Sequence, residues 1–244
     1  QKEGKRLSSY RAFLHPHLAR SNLTVKTGCT VQKLIIEDKA AKGVSVTEEG
    51  STQATSLLCR HEVILCAGSI SSPHILMKSG IGPVAELEAA GITVVHPLPG
   101  VGKNLQDHLD GLVTVRSKNP TTLGFSFAAW KPIITSPFNY LLRRKGWLTT
   151  NYVEAGGFAS TKLSHGEPDI QFHFVPGYRS HRGRLFEWGH GFAVHTCVLR
   201  PKSIGALQLQ RDGKIAIDFN FLADPYDANV LVEGIKAARN ILAQ

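Results

Sequence analysis

The pattern of apolar and polar residues changes character near residue 110. Before it, short apolar runs alternate with small-residue turns; after it, longer loops, aromatic residues and alternating segments take over. Residues 7–20 place Leu7, Tyr10, Leu14 and Leu18 on one face and predict a helix. Residues 22–25 and 30–36 read as strands around a turn at Gly28. Residues 41–46 read as a third, closed by Glu48-Glu49-Gly50. The run Glu62-Val-Ile-Leu-Cys66 is apolar without alternation and too short for a helix, which predicts a strand buried on both faces. It leads through Ala67-Gly68-Ser69 into a helix with Pro73 in its first turn, where a missing N–H is no loss. Pro83 repeats the device before a short helix over 84–90 ended by Gly91, and residues 92–95 predict a further strand.

In the second half, strands are expected over 111–116, 169–174, 191–199, 206–210 and 215–219. Antiparallel pairing is the economical reading, with Arg211-Asp-Gly-Lys214 as one hairpin turn. Asp224-Pro225 caps a last helix whose Val230, Leu231, Ile235, Ala238 and either Ile241 or Leu242 form a core stripe. No internal repeat interrupts this order.

A chain of 244 residues, 42% hydrophobic, can build one large domain or two smaller ones. The first residues lack an initiator Met and residues 10–14 read as mid-helix, so a fragment is expected. No apolar stretch is long enough to span a bilayer and no signal-peptide pattern opens the chain. The net charge of +9 raises the question of nucleic acid, but the densest basic cluster is only Arg143-Arg144-Lys145. No helix-turn-helix, zinc finger or aromatic-basic RNA motif accompanies it, so the charge reads as solvated surface. Cys29, Cys59, Cys66 and Cys197 form no Cys-x-x-Cys and read as small core residues in a reducing compartment.

The candidate chemistry concentrates in Glu62 to Pro83. A strand that ends at a small-residue turn and opens a helix delivers free backbone N–H groups and the positive end of the helix dipole to one point. Ala67 and Gly68 let the backbone lie close against a ligand there. Gly80-Ile-Gly82-Pro-Val-Ala85 spells the Rossmann pattern Gly-x-Gly-x-x-Ala, yet it follows a helix and contains a Pro, and so reads as a turn.

Gly68, Ser69, Ser72, Pro73, Leu76, Met77, Ser79, Gly80, Ile81 and Gly82 together resemble a signature of the glucose–methanol–choline (GMC) oxidoreductases, a family of flavin enzymes. Arg20-Ser-Asn-Leu-Thr-Val25 with Thr27-Gly-Cys-Thr-Val31, Pro99-Gly-Val-Gly-Lys-Asn-Leu-Gln-Asp-His108, Leu199-Arg-Pro-Lys-Ser203, Asp224-Pro225 and Glu233-Gly234 extend the resemblance over most of the chain. It implies a mixed α/β (α+β) architecture: a partial Rossmann-like FAD-binding domain over 1–110 and an antiparallel-sheet substrate domain with packed helices over 111–205. Residues 206–244 would supply the last sheet strands and a helix returning to the FAD domain. It also implies FAD as cofactor, with the backbones of Val31, Ala67, Gly68 and Ser69 beside it.

The implied reaction is oxidation of a primary alcohol, choline or aliphatic, to an aldehyde by hydride transfer to flavin, with a quinone or another electron acceptor. The family's N-terminal Gly-x-Gly-x-x-Gly and its C-terminal catalytic His have no match here, so no catalytic residue is assigned and these 244 residues alone are expected to be inactive. The alternative is a scaffold or binding protein that keeps this fold without redox chemistry.

Among the histidines, His15, His17 and His61 read as surface or turn residues, and His108 as ordering a domain junction through Asp107. His173, His181, His190 and His195 cluster in the second half; their spacing fits no metal motif, and some are expected to line the alcohol pocket. The segments Gly124-Phe-Ser-Phe-Ala-Ala-Trp130-Lys-Pro and Phe138-Asn-Tyr-Leu-Leu-Arg-Arg-Lys-Gly-Trp147 mix aromatic and basic residues. They suit either a lid over the substrate cavity or an element lying on an anionic membrane. The expected location is cytoplasmic, with peripheral contact at the inner membrane as the variant reading.

Overall fold

The computed structural model describes residues 1–178 and 188–243. Their contacts divide into two units: one of Thr24–Asp107 and Ser203–Ala223, the other of Gln1–Leu23, His108–Lys202 and Asp224–Gln244.

In the first unit, β1 (Cys29–Glu37), β2 (Ala40–Glu48) and β3 (Ala54–Leu58) form an antiparallel sheet in that order. The β1–β2 turn uses Asp38 and Lys39, both at positive φ (49° and 61°), the backbone handedness that matches strand twist in a two-residue hairpin. β3 was not anticipated, because Ala-Thr-Ser-Leu-Leu neither alternates nor buries a residue. Helix α1 (Gly68–Lys78) starts at Gly68 and stops at Gly80, whose φ of +79° ends it in the left-handed conformation. A side chain at Gly80 would place Cβ 2.4 Å from the Thr93 carbonyl oxygen, so Gly80 is a turn pinned by a close approach, while Ile81 and Gly82 of the same pattern continue as a short strand and not as a turn.

Two-residue strands β4 (Ile81–Gly82) and β5 (His96–Pro97) pair in parallel around α2 (Val84–Ala89). The hairpin of β10 (Ala206–Leu209) and β11 (Ile215–Asp218) buries Leu207 and Leu209 while Gln208 faces out, the period-two alternation expected of a half-buried strand. Met77, Leu87, Ala90, Val101, Leu105, Leu207 and Leu209 make the core.

In the second unit, β6 (Asp110–Ser117), β7 (Ala155–Ala159), β8 (Ile170–Val175) and β9 (His190–Val198) form an antiparallel sheet ordered β6-β9-β8-β7. Two longer helices join it, α3 (Trp130–Arg143) and α4 (Pro225–Leu242). The Asp224 carboxylate caps α4, accepting from the Tyr226 N–H at 2.8 Å, with Pro225 in the first turn. α4 lies on β6, β8 and β9, and Val230 packs with Ile170 and Val198. Of the two open candidates at its end, Leu242 is half-buried and Ile241 exposed.

Several expectations change. Residues 7–20 do not form one regular helix: a wide turn over Tyr10–Leu14 passes into a tight one over His15–His17, because Pro16 has no N–H for the Ala12 carbonyl. Leu7, Tyr10 and Leu18 are accordingly exposed. Residues 22–25 are not a strand. Residues 62–66 are not one either; among the described residues no neighbour pairs with them, and Ile64 is 75% exposed. The strand expected over 92–95 shifts to β5, where the Val95 and His96 N–H groups share the Gly80 carbonyl. Pro73 lies in the second turn of α1, removing the bond the Ser69 carbonyl would accept, and Pro83 is the cap residue of α2. Of the cysteines only Cys197 is buried; Cys29 and Cys59 are intermediate, and Cys66 is exposed in a segment whose Val63 and Leu65 are half-buried.

Candidate functional site

At the start of α1, Ala67 adopts φ −85°, ψ 8° and Gly68 a φ of +86°. A Cβ at Gly68 would meet no atom within 4 Å, so the backbone there faces open space and only its left-handed twist requires glycine. Ser72 Oγ accepts from the Ala67 N–H at 3.0 Å, a local lock the sequence reading missed. No side chain caps α1 and its first turn carries no acid, in contrast to the Asp224 cap of α4. The first-turn N–H groups and the positive helix end are therefore presented to whatever occupies the adjoining space. Beside it a cleft of about 440 Å³ runs along one flank of α1, at Ser69, Ser72, Pro73 and Leu76, with the 100–106 loop as its other wall; Ser69 is its one first-turn residue. Gly102 lets the loop approach closely: its Cβ would stand 2.6 Å from the Leu207 carbonyl oxygen.

Ala67, Gly68 and Ser69 thus stand together at one end of α1. Val31 does not join them. It lies on β1, where Gln32 Oε1 accepts from Lys78 Nζ at 3.2 Å and the Leu34 N–H donates to Ser79 Oγ at 2.8 Å, both at the other end of α1. Eleven helical residues separate the two ends by about 16 Å, so one ligand touching both must be extended. Val31 pairs with Val46 beside an irregularity in register before Lys33; the cavity of about 590 Å³ flanking β1 begins at Lys33.

The other unit carries a second polar cluster. Gly111, Thr196 and Ile170 face α4: a Cβ at Gly111 would stand 2.7 Å from Ile235, and one at Gly234 only 2.5 Å from Thr196. By alternation, Asp110, His195, Cys197, Gln171 and His173 stand on the opposite face of the sheet. His195 Nδ1 donates to Asp110 Oδ2 at 2.5 Å, and His173 is its register partner on β8. A carboxylate can only accept, so in the neutral ring Nδ1 carries the proton and Nε2 keeps a lone pair able to take one.

His190 is different: it is buried, with Nε2 bonded to Ser126 Oγ at 2.7 Å and Nδ1 to the Thr122 carbonyl at 2.9 Å, a structural role. His181 lies outside the described residues, and His15, His17 and His61 are exposed. The Asp110 partner was missed because 85 residues separate it from His195.

Helix α3 turns an apolar arc outward. Trp130, Ile134, Phe138, Leu141 and Leu142 are 55–81% exposed, with Lys131, Arg143 and Lys145 exposed alongside. Among the described residues, no helix is long and apolar enough to cross a membrane.

Residues 1–110 match the GMC oxidoreductase family. Over 244 residues, 99% of the chain, it is 41% identical to an alcohol dehydrogenase (acceptor) of Pseudomonas putida, of which it covers 44%. Over 256 aligned residues, again 99% of the chain, it is 36% identical to an oxygen-dependent choline dehydrogenase of Ectopseudomonas mendocina, of which it covers 43%. Among solved structures, a formate oxidase of Aspergillus oryzae matches with a TM-score of 0.82 and 25% identity, over 93% of this chain and 44% of that one. The chain spans less than half the length of these relatives. Its mixed helix and antiparallel-sheet architecture is shared with that solved structure, and the chain is similar to the GMC oxidoreductases through residues 1–110, just under half of its length.

Proposed function

We propose that this chain works within an FAD-dependent oxidoreductase that acts on CH–OH groups, oxidising a primary alcohol, choline or aliphatic, to an aldehyde. FAD, when bound, supplies the hydride acceptor for that chemistry. The observation that carries the reading is the uncapped start of α1 beside an open cleft, a fit for a polar, negatively charged edge of the cofactor. The backbone N–H groups of Gly68 and Ser69 hold that edge, the Ser72–Ala67 bond keeps the turn in place, and the Val31 backbone meets a more distant part. On the open sheet face, His195, oriented by Asp110, and His173 line the alcohol pocket. In that role His195 Nε2 accepts a hydrogen bond from the alcohol hydroxyl.

The test is flavin content and dye-linked alcohol oxidation by the intact gene product. Stoichiometric flavin with aldehyde formation supports the reading. A product without flavin, or one that oxidises no primary alcohol, removes it in favour of an inert scaffold. A panel of choline against straight-chain alcohols assigns the substrate.

The outward arc of α3 with its flanking cations supports a second element of the reading, peripheral contact of a cytoplasmic enzyme with an anionic membrane that holds a quinone acceptor. Flotation with anionic liposomes at low salt is expected, and protein left at the bottom of the gradient counts against it.

A further inference from the structure

Basic residues are spread thinly along the sequence, and the fold gathers six of them in one place. Lys2-Glu3-Gly4-Lys5 is a hairpin turn in which the Lys2 and Lys5 backbones exchange hydrogen bonds of 3.0 Å in both directions. Glu3 and Gly4 lie at positive φ (53° and 68°), the handedness of the primed hairpin turns. The turn is seated on the end of α3. A Cβ at Gly4 would stand 2.5 Å from the Arg144 carbonyl oxygen, so only glycine lets the two backbones approach this closely. The Gln1 side-chain amide adds bonds to the Thr149 carbonyl and, at 2.6 Å, to Asn151 Oδ1. Two segments far apart in sequence thereby become one surface.

That surface is basic. Lys2, Lys5 and Arg6 are exposed, as are Arg143 and Lys145, and the half-buried Arg144 holds its guanidinium 4.8 Å from the Tyr140 ring centre. Glu3 is the single acid in residues 1–6 and 130–151. Lys2 and Lys5 are bridge partners, and like charges set directly opposite each other are destabilising. An anion shared between them offsets that cost.

The cations border the apolar arc of α3 where Leu141 and Leu142 end it. An apolar stripe edged by cations is the pattern of a helix lying in the interface of an anionic bilayer, its apolar face in the acyl boundary and its charges among the headgroups. A nucleic acid would match the charge and leave the arc in water.

We propose that the 2–6 turn and the 143–145 end of α3 form one headgroup-binding patch for anionic phospholipid, which holds the arc of α3 at a bilayer surface. This rests on the membrane contact proposed above, and it adds a lipid class and a second contact segment. Each Lys or Arg held near an anionic surface strengthens binding about fivefold, so Lys2, Lys5 and Arg6 together weigh about a hundredfold.

The test is partitioning of the intact gene product at low salt onto phosphatidylcholine vesicles made with and without phosphatidylglycerol. Lys2→Gln/Lys5→Gln/Arg6→Gln should weaken binding to the anionic vesicles about a hundredfold and flatten its salt dependence. Its binding to phosphatidylcholine alone should not change. Lys162→Gln/Lys236→Gln/Arg239→Gln removes the same charge from exposed positions on or near α4, and should change binding about twofold or less. All six side chains are exposed, so both variants are expected to fold. Wild-type protein that binds neither vesicle removes the membrane reading, and this proposal with it. Wild type that binds the anionic vesicles overturns this proposal alone if the Lys2/Lys5/Arg6 variant binds equally, or if the Lys162/Lys236/Arg239 variant loses as much. Tighter binding to a single-stranded oligonucleotide than to vesicles also overturns it, as does a dimer that Phe138→Ser dissolves in place of vesicle binding.

Discussion

Gly234 offers a sharp test of how closely α4 lies on the sheet. In an exposed helix, replacing Gly by Ala stabilises by about 1 kcal/mol, because less backbone entropy is lost on folding. Here the new Cβ would stand 2.5 Å from Thr196 Cγ2 and 3.2 Å from Ile170 Cγ2. Thr196 is fully buried and β-branched, so its methyl group cannot rotate away cheaply. Overpacking of this kind costs about 1–3 kcal/mol, which leaves Gly234→Ala destabilising by about 1 kcal/mol net. Thr196→Ser deletes the obstructing methyl and alone costs about 1 kcal/mol of lost burial.

In the double variant the alanine methyl occupies the vacated space, the clash disappears and the helix gain remains, so stability returns near wild type. The coupling is therefore about −2 kcal/mol, large for a single contact. Urea unfolding followed by far-ultraviolet circular dichroism, with the four midpoints compared at constant slope, measures it. Gly234→Ala stabilising by about 1 kcal/mol with coupling below about 0.5 kcal/mol would refute the close approach of α4 to β9.

Three further outcomes follow from other sites. Gly68→Val puts a β-branched residue at φ +86°, a strain of about 1–3 kcal/mol. It should lower the flavin content of the intact gene product, and undiminished flavin would count against the role given to this turn. Asp110→Asn removes the charge and sets an amide that can also donate against His195 Nδ1, so the tautomer is no longer fixed and alcohol oxidation by the intact gene product should fall about tenfold or more; undiminished oxidation would exclude His195 from the pocket. The Lys214 backbone N–H and then its ammonium group hold the Asp212 carboxyl below its ordinary value of 3.8. A carboxylate favoured in the folded state adds stability above the unfolded value and loses it as pH falls through the lower folded value. Carbon-13 titration should accordingly place its midpoint below 3.8, and a midpoint at or above 3.8 would show the turn unformed.

Where a segment's partner lies nearby in sequence, or its caps are explicit, the amino acids announce the element. Arg211-Asp-Gly-Lys214 marked the β10–β11 hairpin, and Asp224-Pro225 with the Val230–Ala238 spacing marked α4. Alternation likewise marked β6, β8 and β9. The apolar run at 62–66 failed for the opposite reason. Its composition says what it could bury, while a strand exists only if another lies beside it, and none does among the described residues. Residues 7–20 have helical spacing of apolar positions, but Pro16 breaks the bonding that spacing presupposes. At the candidate site, Ala67, Gly68 and Ser69 were legible because small residues before a helix have a local meaning. Asp110 beside His195 was not, because it depends on which strand lies next to β6.

That strand order has a consequence in time. Among the described residues β6 pairs only with β9, the last strand of its sheet to be made, so the first strand synthesised must wait for the final one. With 85 residues between Asp110 and His195, a ribosome adding roughly 5–20 residues per second leaves β6 unpartnered for roughly 4–17 s. Contacts of such long sequence separation also close slowly, since loop entropy is lost before any pairing compensates it. Leu112, Val113 and Val115 lack their strand partners during that interval, so the sheet face that orients His195 is completed only late in synthesis.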